Sequence, residues 1–397
     1  MQPLVLSHLC ILTSLGTGQE ATLVALRDGR SGLRPCNFDS AMLPTHVGEV
    51  SGVDDFHLDG DLAGFDCRNN RVAALALEQD GFAEAVAAAA RRYGAHRIGV
   101  FLGTSTAGIL QTETAYRRRD PATGALPDDF DYARTHNTYA LGDFVRSRLN
   151  LDGPAMVASS ACATTAKVFA NAARMIAAGF CDAAVVGGAD SLCATTLRGF
   201  NSLSVLSPEP CRPFDAERSG ISIGEGAGFA LLEKPSAERH SDAILLLGVG
   251  ESSDAHHMSS PHPEGAGARL AMERALASAG LKGTEIDHIN LHGTATSVGD
   301  AAEDRAVTDL FGATIPCSST KGYTGHTLGA SGIVEAVVSC LSIRHGLLPG
   351  SPHTRTVDPS FKAQYVTQPR GARIDRVMSN SFGFGGANCS LVLGRAA

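Results

Sequence analysis

A chain of 397 residues with 44% hydrophobic content has material for a large core, as two domains or one compact double domain. Its net charge of -8 gives no support for nucleic acid as the main partner. The 10 cysteines are scattered without a C-x-x-C pair, which argues against a zinc site and suits reduced thiols and a cytoplasmic location. Abundant glycine and few aromatics fit an α/β protein with many tight turns.

In chain order, residues 4–15 are mostly apolar, but no Lys or Arg precedes them and Ser7-His8 interrupts them. The stretch is too short to span a bilayer and no long apolar run follows elsewhere, so no membrane span is expected. It predicts a buried strand, then the turn Gly16-Thr-Gly18 and a helix through Leu23 and Leu26. That turn matches the dinucleotide fingerprint G-x-G-x-x-A, yet a strand–turn–helix start needs glycine for geometry alone. Residues 30–70 read as surface loops, and Arg68-Asn-Asn-Arg71 opens a helix expected to reach Tyr93. Residues 97–102 form a buried strand ending in Gly103-Thr-Ser-Thr-Ala-Gly108, at the edge where ligands gather in α/β sheets. Residues 111–150 read as an insertion carrying Arg117-Arg-Arg119.

The run Val157-Ala-Ser-Ser-Ala-Cys-Ala-Thr-Thr-Ala-Lys167 delivers a single thiol, Cys162, ahead of an amphipathic helix through Phe169, Ala173 and Ile176. At a helix N-terminus the free N–H groups and the macrodipole favour a thiolate and can stabilise an oxyanion. A small buried structural cysteine fits the same stretch. Residues 181–188 predict another buried strand, and 220–233 a glycine turn running into a further strand.

The second half repeats this grammar. A strand at 286–291 ends in His292-Gly-Thr-Ala-Thr296, as the earlier one ends in Gly103-Thr-Ser-Thr106. Ser159-Ser160 and Ser318-Ser319 each lead toward a small-residue helix, and each half closes on a glycine turn and an apolar strand. The order implies an internal duplication, residues 1–240 and 241–397. Lys321-Gly-Tyr-Thr-Gly-His326 and Asn380-Ser-Phe-Gly-Phe-Gly-Gly386 also follow apolar strands, so both can converge with Cys162 on one edge. Cys/His constellations serve nucleophilic acyl chemistry, and paired imidazoles can donate to a developing enolate.

Ser160-Ala-Cys162, His292-Gly-Thr-Ala-Thr296, Lys321 with Gly325-His326, and Gly383-Phe-Gly-Gly386 together resemble the elongating β-ketoacyl-acyl-carrier-protein synthases. The resemblance spans nearly the whole chain and implies the thiolase-like α/β fold, two five-stranded mixed sheets between helix layers. It implies an acyltransferase working by decarboxylative Claisen condensation in fatty-acid or polyketide synthesis, with Cys162 as nucleophile and the N–H groups of Cys162 and Phe384 as oxyanion hole. His292 and His326 would bind the malonyl thioester oxygen, so loss of either would spare acylation more than decarboxylation. Lys321 would orient the site with Glu303 as its ionic partner. Thr294, Thr296 and Ser260 would hold a phosphopantetheine arm arriving on the acyl carrier protein. No cofactor is required, although Asn290, Glu335, Ser379 and Asn380 match a monovalent-cation site of some members.

The resemblance also places a carrier-docking patch at Arg68 and Arg71, and an acyl pocket at Thr106, Ala107, Phe200 and Phe384. The small polar Thr106 beside flat aromatic faces suits a conjugated chain, and the motifs resemble synthases of aryl-polyene pigment clusters. A homodimer or a close heterodimer is expected. The rival is a chain-length factor, a non-catalytic subunit of the same fold that lacks the nucleophile kept here. Starter-unit synthases carry Asn where this chain has His326, and thiolases need a second cysteine in a Cys-Gly turn, which Cys389 does not provide.

Overall fold

The computed structural model describes residues 1–39, 41–235 and 243–395. Ten strands carry the architecture. The first five are β1 (Leu4–Thr13), β2 (Ile98–Gly103), β3 (Ala155–Ala158), β4 (Ala183–Asp190) and β5 (Gly226–Glu233). Their counterparts are β6 (Ile244–Ser253), β7 (His288–Asn290), β8 (Pro316–Ser318), β9 (Arg376–Gly383) and β10 (Ala387–Arg395). The first set lies in the order β3-β2-β4-β5-β1 and the second in the order β8-β7-β9-β10-β6, the same permutation twice. Senses match as well: β2 runs parallel to β3 and β4, as β7 does to β8 and β9, and the remaining pairs are antiparallel. The sheets meet where Leu4 and Val5 of β1 pair with Leu246 and Leu245 of β6.

Burial explains the strand sequences. Every residue of β4 (AAVVGGAD) and β5 (GAGFALLE) is buried, because helices cover both faces, and small apolar side chains fill them continuously. In β6, at the junction of the sheets, buried and half-buried positions alternate instead.

Seven helices complete the layers: α1 (Arg68–Leu77), α2 (Phe82–Tyr93), α3 (Ala140–Leu149), α4 (Thr164–Ala177), α5 (Ala266–Ala279), α6 (Ser297–Phe311) and α7 (Ser331–His345). Between the sheets, α4 and α7 join one core through Phe169, Ile176, Ile333 and Val337 with strand residues Ile11, Val186 and Leu391. All of α7 except its last two residues is buried, as its near-uniform apolar sequence requires. The two helices approach so closely that a Cβ on Gly332 would lie 2.4 Å from the Ala166 nitrogen. On the outer face of the first sheet α1, α2 and α3 pack, and on that of the second α5 and α6. The result is five layers, αβαβα.

The helix expected from residue 68 to residue 93 is two helices. Asp80 and Gly81 break it, both in the left-handed region with φ of 57° and 68°, and the Asp80 carboxylate accepts from the Gln19 N–H at 3.0 Å. The expected boundary at about residue 240 lies outside the described residues. No helix among the described residues is long and apolar enough to cross a membrane.

Candidate active site

Three turns at strand ends meet in one cavity of about 330 Å³. Cys162 comes from the turn between β3 and α4, His292 from the end of β7, and His326 from the segment between β8 and α7. Each turn holds a non-glycine residue in the left-handed region: Ala161 (φ 51°), Ala295 (φ 65°) and Leu328 (φ 52°). Such strain persists where surrounding contacts over-determine it, and it clusters at functional sites. At the first turn, Thr164 Oγ1 accepts from the Ser160 N–H and donates to the Ala161 carbonyl.

Cys162 Sγ lies 3.0 Å from His326 Nε2, and the two imidazoles stand edge to face with centroids 5.4 Å apart. The sulfur and one nitrogen from each His fall within 4.8 Å of one another. His326 Nδ1 is 2.9 Å from Ser331 Oγ, a hydroxyl that can donate or accept, so His326 can carry its proton on either nitrogen. His292 has less freedom. Lys321 Nζ sits 3.3 Å from its Nδ1, and an ammonium only donates, so the His292 proton is placed on Nε2, facing the cavity. Burial, reinforced by the Lys321 charge, holds both imidazoles well below the usual histidine value.

The thiol departs from the sequence expectation. Helix α4 begins at Thr164, so Cys162 stands outside the helix end, buried on the wall of the cavity. Burial pushes it up to about 11, against the opposing pull of Lys321 and of the Phe384 N–H directed at the sulfur. The resting nucleophile is therefore a neutral thiol, and its proton has an acceptor in neutral His326. Because the raised value lies above the working range, thiolate grows with pH throughout that range. Alkylation of Cys162 by iodoacetamide is expected to rise about tenfold per pH unit between pH 7 and 10. A rate already flat at pH 7 would reveal a resting thiolate–imidazolium pair.

Lys321 has a different ionic partner from the one expected. Its Nζ pairs with Glu335 on α7 and donates to the His292 carbonyl. Glu303, on α6, instead accepts the backbone N–H groups of His292 and Gly293, each at 2.8 Å, which uses both its oxygens. The sequence linked Lys321 to a carboxylate but could not show that Glu335 projects from the central helix directly behind it. The other orienting group missed is Ser331, whose contact with His326 Nδ1 carries no signal in the sequence.

Thr294 and Thr296 line the cavity with their hydroxyls 3.0 Å apart, and Ser260 lines it too. Phe200 and Phe384 form a tilted pair in the wall, centroids 5.8 Å apart at 39°.

The family models for the β-ketoacyl synthase N-terminal and C-terminal domains match residues 10–238 and 244–355. The chain belongs to the β-ketoacyl synthase family. It is 33% identical to 3-oxoacyl-[acyl-carrier-protein] synthase 2 of Coxiella burnetii, with 98% of both chains covered. It is 42% identical to the mitochondrial 3-oxoacyl-[acyl-carrier-protein] synthase of Arabidopsis thaliana over 62% of this chain and 58% of that one. Among solved structures, a chain of the ketosynthase (ApeO) in complex with its chain length factor (ApeC) from Xenorhabdus doucetiae superposes with a TM-score of 0.89. That match has 38% identity and covers 100% of this chain and 98% of that one.

Two other expectations for this ketosynthase need correction. Thr106 and Ala107 do not line the cavity: the Thr106 hydroxyl and N–H are both bound to the buried Asp190 carboxylate, which draws the turn inward. Nor is Arg68 a docking residue, since it is 2% exposed with its guanidinium locked to Glu225 and Asp54. Arg71 is likewise spent in a two-pronged pair with Asp66, both contacts at 2.6 Å. The sequence showed two arginines opening a helix but not the acidic residues folded over them.

Of the expected cation ligands, Asn290 Oδ1 and Glu335 Oε2 are buried without a hydrogen-bond partner. Ser379 pairs with Asn290 across the sheet, while the Asn380 side chain is bound to Ser390 and faces Glu303. Two buried oxygens without partners are the donor type that a hard cation takes.

Proposed function

We propose that this ketosynthase joins an acyl chain on Cys162 to a malonyl unit brought by an acyl carrier protein, and that its acyl chains are conjugated. The observation that carries the chemistry is the 3.0 Å contact between the buried Cys162 sulfur and His326 Nε2, beside a second imidazole whose Nδ1 is held by Lys321. As the sulfur attacks the incoming thioester carbon, its proton passes to His326 Nε2. The oxyanion takes hydrogen bonds from the N–H groups of Cys162 and Phe384. Collapse expels the carrier's pantetheine sulfur, which recovers the proton from His326, leaving acyl-Cys162.

Malonyl carrier then enters, its arm held by Thr294, Thr296 and Ser260. Once His326 has exchanged its proton from Nδ1 to Nε2, with Ser331 turning from acceptor to donor at Nδ1, the malonyl thioester oxygen accepts from His292 Nε2–H and from His326 Nε2–H. Carbon dioxide leaves, the electron pair passes into the enolate, and the enolate carbon attacks the acyl-Cys162 carbonyl. The new C–C bond lengthens the chain by two carbons on the carrier, and Cys162 leaves as thiolate to be reprotonated. A monovalent cation held by Asn290, Glu335, Ser379 and Asn380 would balance charge behind Lys321 without touching the reacting atoms.

For the chain type, the aromatic walls Phe200 and Phe384 carry the reading. A rigid polyene stacks on them with little entropy to lose. The similarity to a ketosynthase solved with its chain length factor supports a heterodimeric partner. The open edge strand β3 gives such a subunit a row of unpaired backbone groups. Light scattering on the chain alone and with a co-expressed ketosynthase-like subunit tests the association, and a monomer in both would sink it. Competition between saturated and polyenoyl carrier thioesters of equal length tests the substrate. A severalfold preference for the polyenoyl chain is expected, and preference for the saturated one would leave ordinary fatty-acid elongation.

A further inference from the structure

The Cys162–His326 contact spans two halves of the fold, so something must fix its length. The segment between His326 and α7 is short and strained, with Leu328 left-handed. Two side chains of the first half grip it just beyond that residue. Thr165, the second residue of α4 and three positions after the nucleophile, donates from Oγ1 to the Gly329 carbonyl at 2.6 Å and accepts from the Ile333 N–H at 3.0 Å. Asp190, at the end of β4 and fully buried, accepts from the Ala330 N–H on Oδ2 at 3.1 Å. Its other oxygen gathers Thr104, Ser105 and Thr106, with four donors between 2.7 and 2.9 Å. The fit leaves no slack: a Cβ on Gly329 would lie 2.8 Å from Asp190 Oδ2 and 2.6 Å from Ser105 Oγ. Immediately after the gripped residues, Ser331 binds His326 Nδ1.

We propose that Thr165 and Asp190 are positioning residues that set the distance between the Cys162 sulfur and His326 Nε2, and with it the rate of the proton hand-off. Neither touches substrate. Thr165 lies in the first turn of α4, three residues after the nucleophile, so its two hydrogen bonds tie the imidazole-bearing segment to the helix that the Cys162 turn leads into. Asp190 ties that segment to β4 from the other side. The inference rests on Cys162 and His326 being the reacting pair.

The test uses the full-length protein with Thr165→Val, which keeps shape and loses the hydroxyl, and Thr165→Ser, which keeps the hydroxyl. Asp190→Asn turns an N–H₂ toward the Ala330 N–H. Acyl transfer from a carrier thioester to Cys162 is followed by intact-protein mass spectrometry in a single turnover, beside the iodoacetamide pH profile, KM and thermal midpoint. Thr165→Val and Asp190→Asn should slow acylation about 10- to 100-fold, the cost of a small misplacement of reacting groups, with KM within about twofold. Thr165→Ser should restore it to within about threefold. Folded Thr165→Val with wild-type acylation and pH profile would overturn the proposal, as would Thr165→Ser failing as badly as Thr165→Val. If Thr165→Val does not fold, Asp190→Asn and Gly329→Ala decide by the same readout, and unchanged acylation in both overturns it. Wild type that is not acylated on Cys162 would instead sink the assignment of the reacting pair itself.

Discussion

Cys162→Ala is expected to abolish condensation, a loss of about ten-thousand-fold or more, because among the described residues no other thiol lines the cavity to carry the acyl group. Cys162→Gln should separate the two half-reactions. Its amide roughly copies an acylated thiol in shape and polarity, so malonyl decarboxylation persists while acyl transfer disappears. The histidines divide the work unevenly. His326 contacts the sulfur and faces the cavity, so His326→Ala should slow acylation and decarboxylation together. His292 faces the cavity and is bound by Lys321, while the 3.0 Å contact to the sulfur belongs to His326, so His292→Ala should spare acylation and cost about 10²–10³ in decarboxylation. This asymmetry replaces the expectation that loss of either His would spare acylation more than decarboxylation. Single-turnover acylation and carbon dioxide release measured on the same four variants decide it, and a His326→Ala protein acylated at the wild-type rate would remove that residue from the hand-off.

Much of this site was legible in the sequence because catalytic turns are local. A small-residue run before Cys162, glycines around His292 and His326, and the Gly383-Phe-Gly-Gly386 turn each announce a sharp bend at a strand end. The duplication was legible for the same reason, as a repeated order of strand, turn and helix, and the two matching sheets bear out that reading of the fold. What failed were statements about partners distant in sequence. Lys321 took Glu335 rather than Glu303, Arg68 took Glu225 from 157 positions away, and Thr106 took Asp190. Periodicity shows which face a residue occupies, but not which residue the tertiary fold brings opposite it. The neutral Cys162 thiol was hidden likewise: a helix-end cysteine suggests thiolate, and only its enclosure shows that desolvation outweighs the dipole.

The ion pair behind the histidines should reveal itself through a double substitution. Lys321 and Glu335 are both almost fully buried, and burial pushes Glu335 up to about 7 with Lys321 pulling it back. Lys321→Met removes that pull and strands a carboxylate in the core, an expected destabilisation of about 3–5 kcal/mol. The Glu335 value then rises further above its unfolded one. A group raised on folding contributes its stability at pH below the unfolded value and loses it as pH climbs through the folded value. Lys321→Met should therefore unfold more readily at pH 8 than at pH 5, with a steeper fall across that window than wild type. Adding Glu335→Gln removes the stranded charge, so the double variant should recover most of the lost thermal stability and flatten its pH dependence. Activity should not return with it. Without the Lys321 donor nothing holds the His292 proton on Nε2, and decarboxylation should stay about 10²-fold or more below wild type in both variants. Thermal unfolding at pH 5 and 8, beside decarboxylation rates at 20 °C below each midpoint (roughly, to keep all variants folded), separates the two roles. A double variant that regains activity along with stability would make Lys321 a scaffold residue only, and one that regains neither would place the ion pair's importance elsewhere than in charge balance.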